Sequence, residues 1–94
     1  MRTLVWSSSF VRAFKRATRR QPGLRARVER TLRQLAEDPF HPSLRSHKLK
    51  GQLAGAWACS VGYDVRILFE FVENPATGEE EILLLTMGSH DEVY

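Results

Sequence analysis

Apolar residues recur at helical spacing over the first 37 positions and at strand spacing from position 47 onward. RTLVW (2–6) is short, apolar and β-prone. The serines at 7–9 offer helix N-caps, because a serine oxygen accepts from an otherwise orphan backbone N–H. Phe10, Phe14 and Ala17 then mark one helical face, and Arg12, Lys15, Arg16, Arg19 and Arg20 fill the other. QPG (21–23) breaks this helix, since Pro22 cannot continue the hydrogen bonding. A second amphipathic helix is predicted from Leu24 to Glu37, with Leu24, Val28, Leu32 and Leu35 on one stripe. So short a break between them predicts an antiparallel helical hairpin.

DPFHPSLRS (38–46) reads as a loop punctuated by Pro39 and Pro42. After it, HKLKG, AGAWACSVG, DVRILFEFVE and EEILLLTMG read as successive strands, with ENPATGEE as a solvated hairpin tip. The order implies an α+β fold, with an N-terminal strand and a two-helix hairpin on one face of a mostly antiparallel sheet of four to five strands. Residues 1–94 are read as one domain. Within the longest strand, Val65, Ile67, Phe69 and Phe71 share a face predicted to lie under the helices. Trp57 is read as packing rather than as an RNA platform. Arg66 falls on the opposite face with Leu68, Glu70 and Val72. A charge there must be solvated or paired, either in a wet, concave surface or with Glu70.

Charge changes the picture. The net +3 hides an asymmetry: residues 1–50 hold 13 Lys/Arg and 3 Asp/Glu, whereas residues 51–94 hold one Arg and 8 Asp/Glu. A half carrying net +10 fits a polyanionic partner, nucleic acid foremost, or else two solvated Arg-rich helices. No apolar run approaches the ~20 residues that cross a bilayer, and no signal-peptide pattern opens the chain, so a cytoplasmic protein without membrane contact is expected. Cys59 is the only cysteine, and His41, His47 and His90 lack metal-ligand spacing, so neither a disulfide nor a metal or other cofactor is expected. The chain closes on TMGSHDEVY, in which Gly88 is read as a sharp exit from the strand. Its His90 and Tyr94 are either a docked end or part of a reacting site.

The combination of S-H-K-L-K-G, Y-D-V-R-I-L-F and G-S-H-D-E-V-Y at these spacings resembles the RelE/ParE superfamily of bacterial toxins, most closely its RelE and YafQ-type mRNA interferases. The resemblance covers nearly the whole chain. It implies the toxin of a type II toxin–antitoxin pair, a metal-independent endoribonuclease that enters the 70S ribosome and cuts A-site mRNA by 2′-hydroxyl attack. A cognate antitoxin holds such toxins in check.

By the same resemblance, Arg66 contacts the scissile phosphate, His90 is a general acid or base, and Tyr94 stacks on a base or orients the phosphate. His47 matches a YafQ-type histidine, and Asp64 an acid before the central strand. Lys48 and Lys50, with Arg45 beside them, match basic residues that hold RNA. On its own, Asp64 also reads as a turn residue and His47 as a surface group. Two departures stand out: Thr86 replaces a last-strand arginine and Val65 a tryptophan, so the second phosphate clamp is missing or falls to Lys48 or Lys50. The rival readings are a ParE-like gyrase poison and a non-catalytic binding member of the same fold.

Overall fold

A computed structural model describes residues 1–94, in the order β1 (Leu4–Trp6), α1 (Ser8–Arg20), α2 (Leu24–Glu37), β2 (His47–Lys48), β3 (Trp57–Val61), β4 (Val65–Glu73), β5 (Glu80–Gly88) and α3 (His90–Val93). Short 3-10 turns at Pro42–Leu44 and Gly51–Leu53 flank β2; the first lies in the stretch read as loop, and the second begins at the last residue of HKLKG, of which only His47–Lys48 is strand. The expected α+β class, helical hairpin and mostly antiparallel sheet are all present.

Ser7 starts α1 by accepting the Phe10 N–H at 3.0 Å, one serine earlier than the helix itself. The helix buries Phe10, Ala13 and Phe14, while α2 buries Leu24, Val28, Leu32, Leu35 and Ala36. These stripes close over one face of a five-stranded sheet ordered β1-β5-β4-β3-β2. The β1–β5 pair is parallel, because the two-helix crossover returns the chain to the same end; the other pairs, joined by turns, are antiparallel. Beneath the helices lie Cys59, Val61, Val65, Ile67, Phe69, Ile82, Leu84 and Met87, all buried. Burying each of the larger side chains contributes ~1.5–3 kcal/mol.

Three of the four β4 residues expected under the helices are buried there. Phe71 instead sits at the rim, edge-on to Trp57 and tilted against the exposed Phe40 at 5.6 and 5.8 Å.

One irregularity organises the other face. The β4–β5 register runs Leu68↔Thr86 and then Phe69↔Leu84, so Leu85 is an extra residue bulged from β5. Without the bulge, alternation from Ile82 and Leu84 would turn Thr86 inward and Met87 outward. With it, Met87 is buried, and Thr86 and Gly88 share the face of Arg66. The bulged backbone is anchored from the cap of α1, where the Ser7 hydroxyl donates to the Leu85 carbonyl at 3.2 Å.

Candidate active site

Arg66 lies on β4 with Ser60 of β3 and Gly88 of β5 directly opposite, on the face away from the helices. Its Nη1 donates to the carbonyls of Tyr63 and Val65, each at 3.1 Å. No carboxylate pairs with it, so the expected alternative of an ion pair with Glu70 is not formed. The guanidinium is held from behind by two backbone oxygens, and its other N–H groups remain for an anion.

The last nine residues supply the groups around it. Ser89 caps α3 in a reciprocal box: its hydroxyl accepts the Glu92 N–H at 3.3 Å, and the Glu92 carboxylate accepts the Ser89 N–H at 2.8 Å. The Ser89 N–H bond is the main reason the Glu92 carboxyl stays below its ordinary 4.5, with help from the Ser89 hydroxyl, Arg20 and Arg16. The two arginines share a polar cavity of about 210 Å3 with Asp64, Ser89 and Glu92, behind α3. Gly88 closes β5, and α3 begins two residues on, without a left-handed backbone at the glycine. It makes room, for a β-carbon there would stand 3.1 Å from Glu92 Cβ and 3.3 Å from Val93 Cγ1.

Seated in this way, α3 brings the His90 and Tyr94 rings edge to face at 4.5 Å. The Tyr94 phenol is raised above 10.0 mainly by burial; the Arg66 guanidinium pulls it back down, so the two groups are within electrostatic reach. Tyr94 therefore stays protonated at neutral pH. His90 is open to solvent, with Nδ1 3.6 Å from Asp91 Oδ1.

The other candidates divide. His47 pairs with Ala58, and Ala58 with Leu68, so His47 faces the same way as Arg66 from two strands across. Strand spacings put their Cα atoms about 12 Å apart. The His47 Nδ1 lies 3.0 Å from the Arg45 carbonyl. A carbonyl only accepts, so Nδ1 carries a proton, and in the neutral ring Nε2 is the acceptor. Arg45 contributes that carbonyl from a left-handed backbone, φ 51°, and its side chain is exposed. Lys48 lies on the opposite face, its ammonium 5.6 Å from the Trp57 ring centre. Lys50 is exposed just beyond β2. Asp64 turns toward the helices, where Arg27 Nη2 donates to its carboxylate at 3.1 Å and to the Val61 carbonyl at 3.2 Å. The structure thus seats the His90–Tyr94 pair just past Gly88, the cross-strand neighbour of Arg66, places His47 on the same face, and directs Lys48 and Asp64 elsewhere.

Sequence reasoning missed the Ser89/Glu92 cap and the Arg27 anchor. The first was readable as an S-x-x-E pattern. The second was not, because 37 residues separate Arg27 from Asp64. No cluster of three or more His, Cys, Asp or Glu side chains is placed to hold a metal ion. No helix is long and apolar enough to cross a membrane.

Residues 2–94 match the family model described as the bacterial toxin of type II toxin–antitoxin systems, YafQ. The fold is similar to YafQ from E. coli strain BL21(DE3), at 14% identity over 100% of this chain and 99% of that one, with a TM-score of 0.80. A chain of the E. coli DinJ–YafQ complex superposes over the same shares of each chain, at 14% identity and a TM-score of 0.78. A conserved hypothetical protein of Helicobacter pylori, solved in solution, is 27% identical over 100% of both chains, with a TM-score of 0.73. No curated protein matches the chain significantly.

Proposed function

The chain belongs to the YafQ family of bacterial type II toxins, and on that footing we propose that it is a ribosome-dependent mRNA endonuclease acting around Arg66 on the sheet face away from the helices. The observation that carries this reading is the seating of the His90–Tyr94 pair just past Gly88, which lies directly across from a guanidinium that no carboxylate neutralises. Fixed from behind, Arg66 stabilises the charge that grows on the phosphoryl oxygens in the transition state. The 2′-oxygen–phosphorus bond forms as the phosphorus–5′-oxygen bond breaks, leaving a 2′,3′-cyclic phosphate. His47, with Nδ1–H committed to the Arg45 carbonyl, takes the 2′-hydroxyl proton at Nε2. His90 returns a proton to the departing 5′-oxygen as the general acid. Tyr94, neutral and only partly exposed, orients the phosphate or stacks on a base.

A cognate antitoxin is the second partner. Support comes from the E. coli YafQ solved with DinJ and from the arginine-rich outer faces of α1 and α2, which suit an acidic antitoxin segment or the phosphates of ribosomal RNA. The cytoplasm, where ribosomes are, is the compartment this function requires.

The test is cleavage of a defined mRNA in a reconstituted translation mixture, with ends mapped by primer extension, with and without ribosomes. Cuts only with ribosomes, lost in Arg66→Ala and His90→Ala, are expected. The face carries Thr86 in place of a second arginine, so a gyrase poison is the reading to adopt if mRNA stays intact while the protein is toxic and His90→Ala remains toxic.

A further inference from the structure

We propose that Tyr63 is a stacking platform for an unpaired RNA base next to the phosphate held by Arg66, an inference that rests on the nuclease reading above. Tyr63 is 95% exposed. The other exposed aromatic rings lean on neighbours: Trp6 on Phe10 and Phe14, Phe40 on Trp57 and Phe71, Tyr94 on His90. The Tyr63 ring meets no other ring, and its hydroxyl has no hydrogen-bond partner in the protein. It contributes nothing to the core.

The backbone that carries it is nevertheless tightly held. Gly62 takes φ 66°, a conformation that favours glycine, and a β-carbon on it would strike the Arg27 guanidinium beneath the turn. Arg27 grips Val61 on one side of the turn and Asp64 on the other. Arg66 itself holds the Tyr63 carbonyl at 3.1 Å. An exposed ring on a braced backbone keeps its place without a binding-time ordering cost for the turn. The guanidinium that touches the Tyr63 carbonyl is the one assigned to the phosphate, so ring and phosphate site are carried by residues three apart in the chain. In a single strand each base hangs beside its own phosphate and offers a π-face to any aromatic within reach. Tyr63 follows β3 and Tyr94 follows β5, the two strands that flank Arg66 on β4.

The experiment measures single-turnover cleavage on ribosomes programmed with mRNAs that differ in the bases flanking the cut, for wild type, Tyr63→Ala, Tyr63→Phe and Arg66→Ala. Tyr63→Ala should fold normally and raise the half-saturating toxin concentration roughly 5- to 150-fold, and Tyr63→Phe should restore it. A loss that varies with the flanking base assigns the partner base to mRNA. A uniform loss that phenylalanine still rescues keeps the stacking without base preference, because every base offers a π-face. Tyr63→Ala cleaving like wild type, while Arg66→Ala is dead, overturns the platform and leaves the nuclease reading standing. A phenylalanine variant as weak as alanine also overturns it, because a face contact does not need the hydroxyl. No cleavage by wild type removes both.

Discussion

Gly88→Ala separates the seating of α3 from every group proposed to react. The new methyl would stand 3.1 Å from Cβ and Oε1 of Glu92 and 3.3 Å from Val93 Cγ1, against a comfortable carbon separation of ~3.5–4.0 Å. The backbone at Gly88 suits alanine, so the cost is one of space. Overpacking of this kind costs ~1–3 kcal/mol. A helix of four residues has almost no stability of its own, and its Ser89 cap supplies only ~1 kcal/mol. The cheapest relief is for α3 to leave the sheet, which lowers the seated-to-free ratio roughly 5- to 150-fold. No α3 residue belongs to the buried core, so the melting temperature should hold within a few degrees. Part of any loss is returned by the stiffer unfolded chain, ~0.4–1 kcal/mol. The assay is hydrogen exchange at the Val93 and Tyr94 amides, which donate to the Ser89 and His90 carbonyls at 3.1 Å each. Their protection should fall by the stated factor and mRNA cleavage should fall with it. Full protection in the variant would falsify the seating of α3 on Gly88. Lost protection with undiminished cleavage would remove His90 and Tyr94 from the site.

The remaining expectations concern charge. Burial pushes the Cys59 thiol from 9.0 up to about 12, with Arg66 pulling slightly the other way. The fold therefore favours the protonated thiol; its stabilisation is full below pH 9 and is lost as pH rises from 9 toward 12. Wild type should lose about 1.4 kcal/mol more than Cys59→Ala between pH 7 and pH 10 in denaturant melts; equal losses refute it. The lowered Glu92 carboxyl works in the opposite sense, supporting α3 above pH 4.5 and failing as pH falls through its folded value. The Ser89 amide resonance should titrate there in wild type and stay flat in Glu92→Gln. The Arg27–Asp64 pair is 37% and 55% exposed, so Asp64→Asn should cost at most ~1 kcal/mol and leave cleavage largely intact; a dead enzyme would return Asp64 to the reacting groups. Arg66→Lys keeps the charge but loses the planar fork, and the cleavage rate should drop roughly 10²- to 10³-fold.

The sequence by itself determined what depends on near neighbours. Phe10 and Phe14, then Leu24, Val28, Leu32 and Leu35, are one helical turn apart or nearly so, and the local period suffices to set both helices and their inner faces. The alternation of Val65, Ile67 and Phe69 likewise assigned the two faces of β4 and left Arg66 on the one away from the helices. The Ser89 and Glu92 cap was equally local, and lay in plain view in GSHDEVY. The tertiary structure alone decided the rest. Three consecutive leucines, Leu83 to Leu85, carry no alternation to read, so only pairing with β4 could place the bulge and thereby turn Thr86 and Gly88 toward Arg66. Lys48 looked like a phosphate ligand, but one step along a two-residue edge strand sends it to Trp57 on the far face, while His47 beside it stays on the near one. Asp64 met Arg27 because α2 crosses the β3–β4 turn, a contact between residues far apart in the chain. Periodicity fixes the direction of a side chain relative to its own element. Which face becomes a site depends on how elements distant in sequence pack, and that is settled by the burial of the core as a whole.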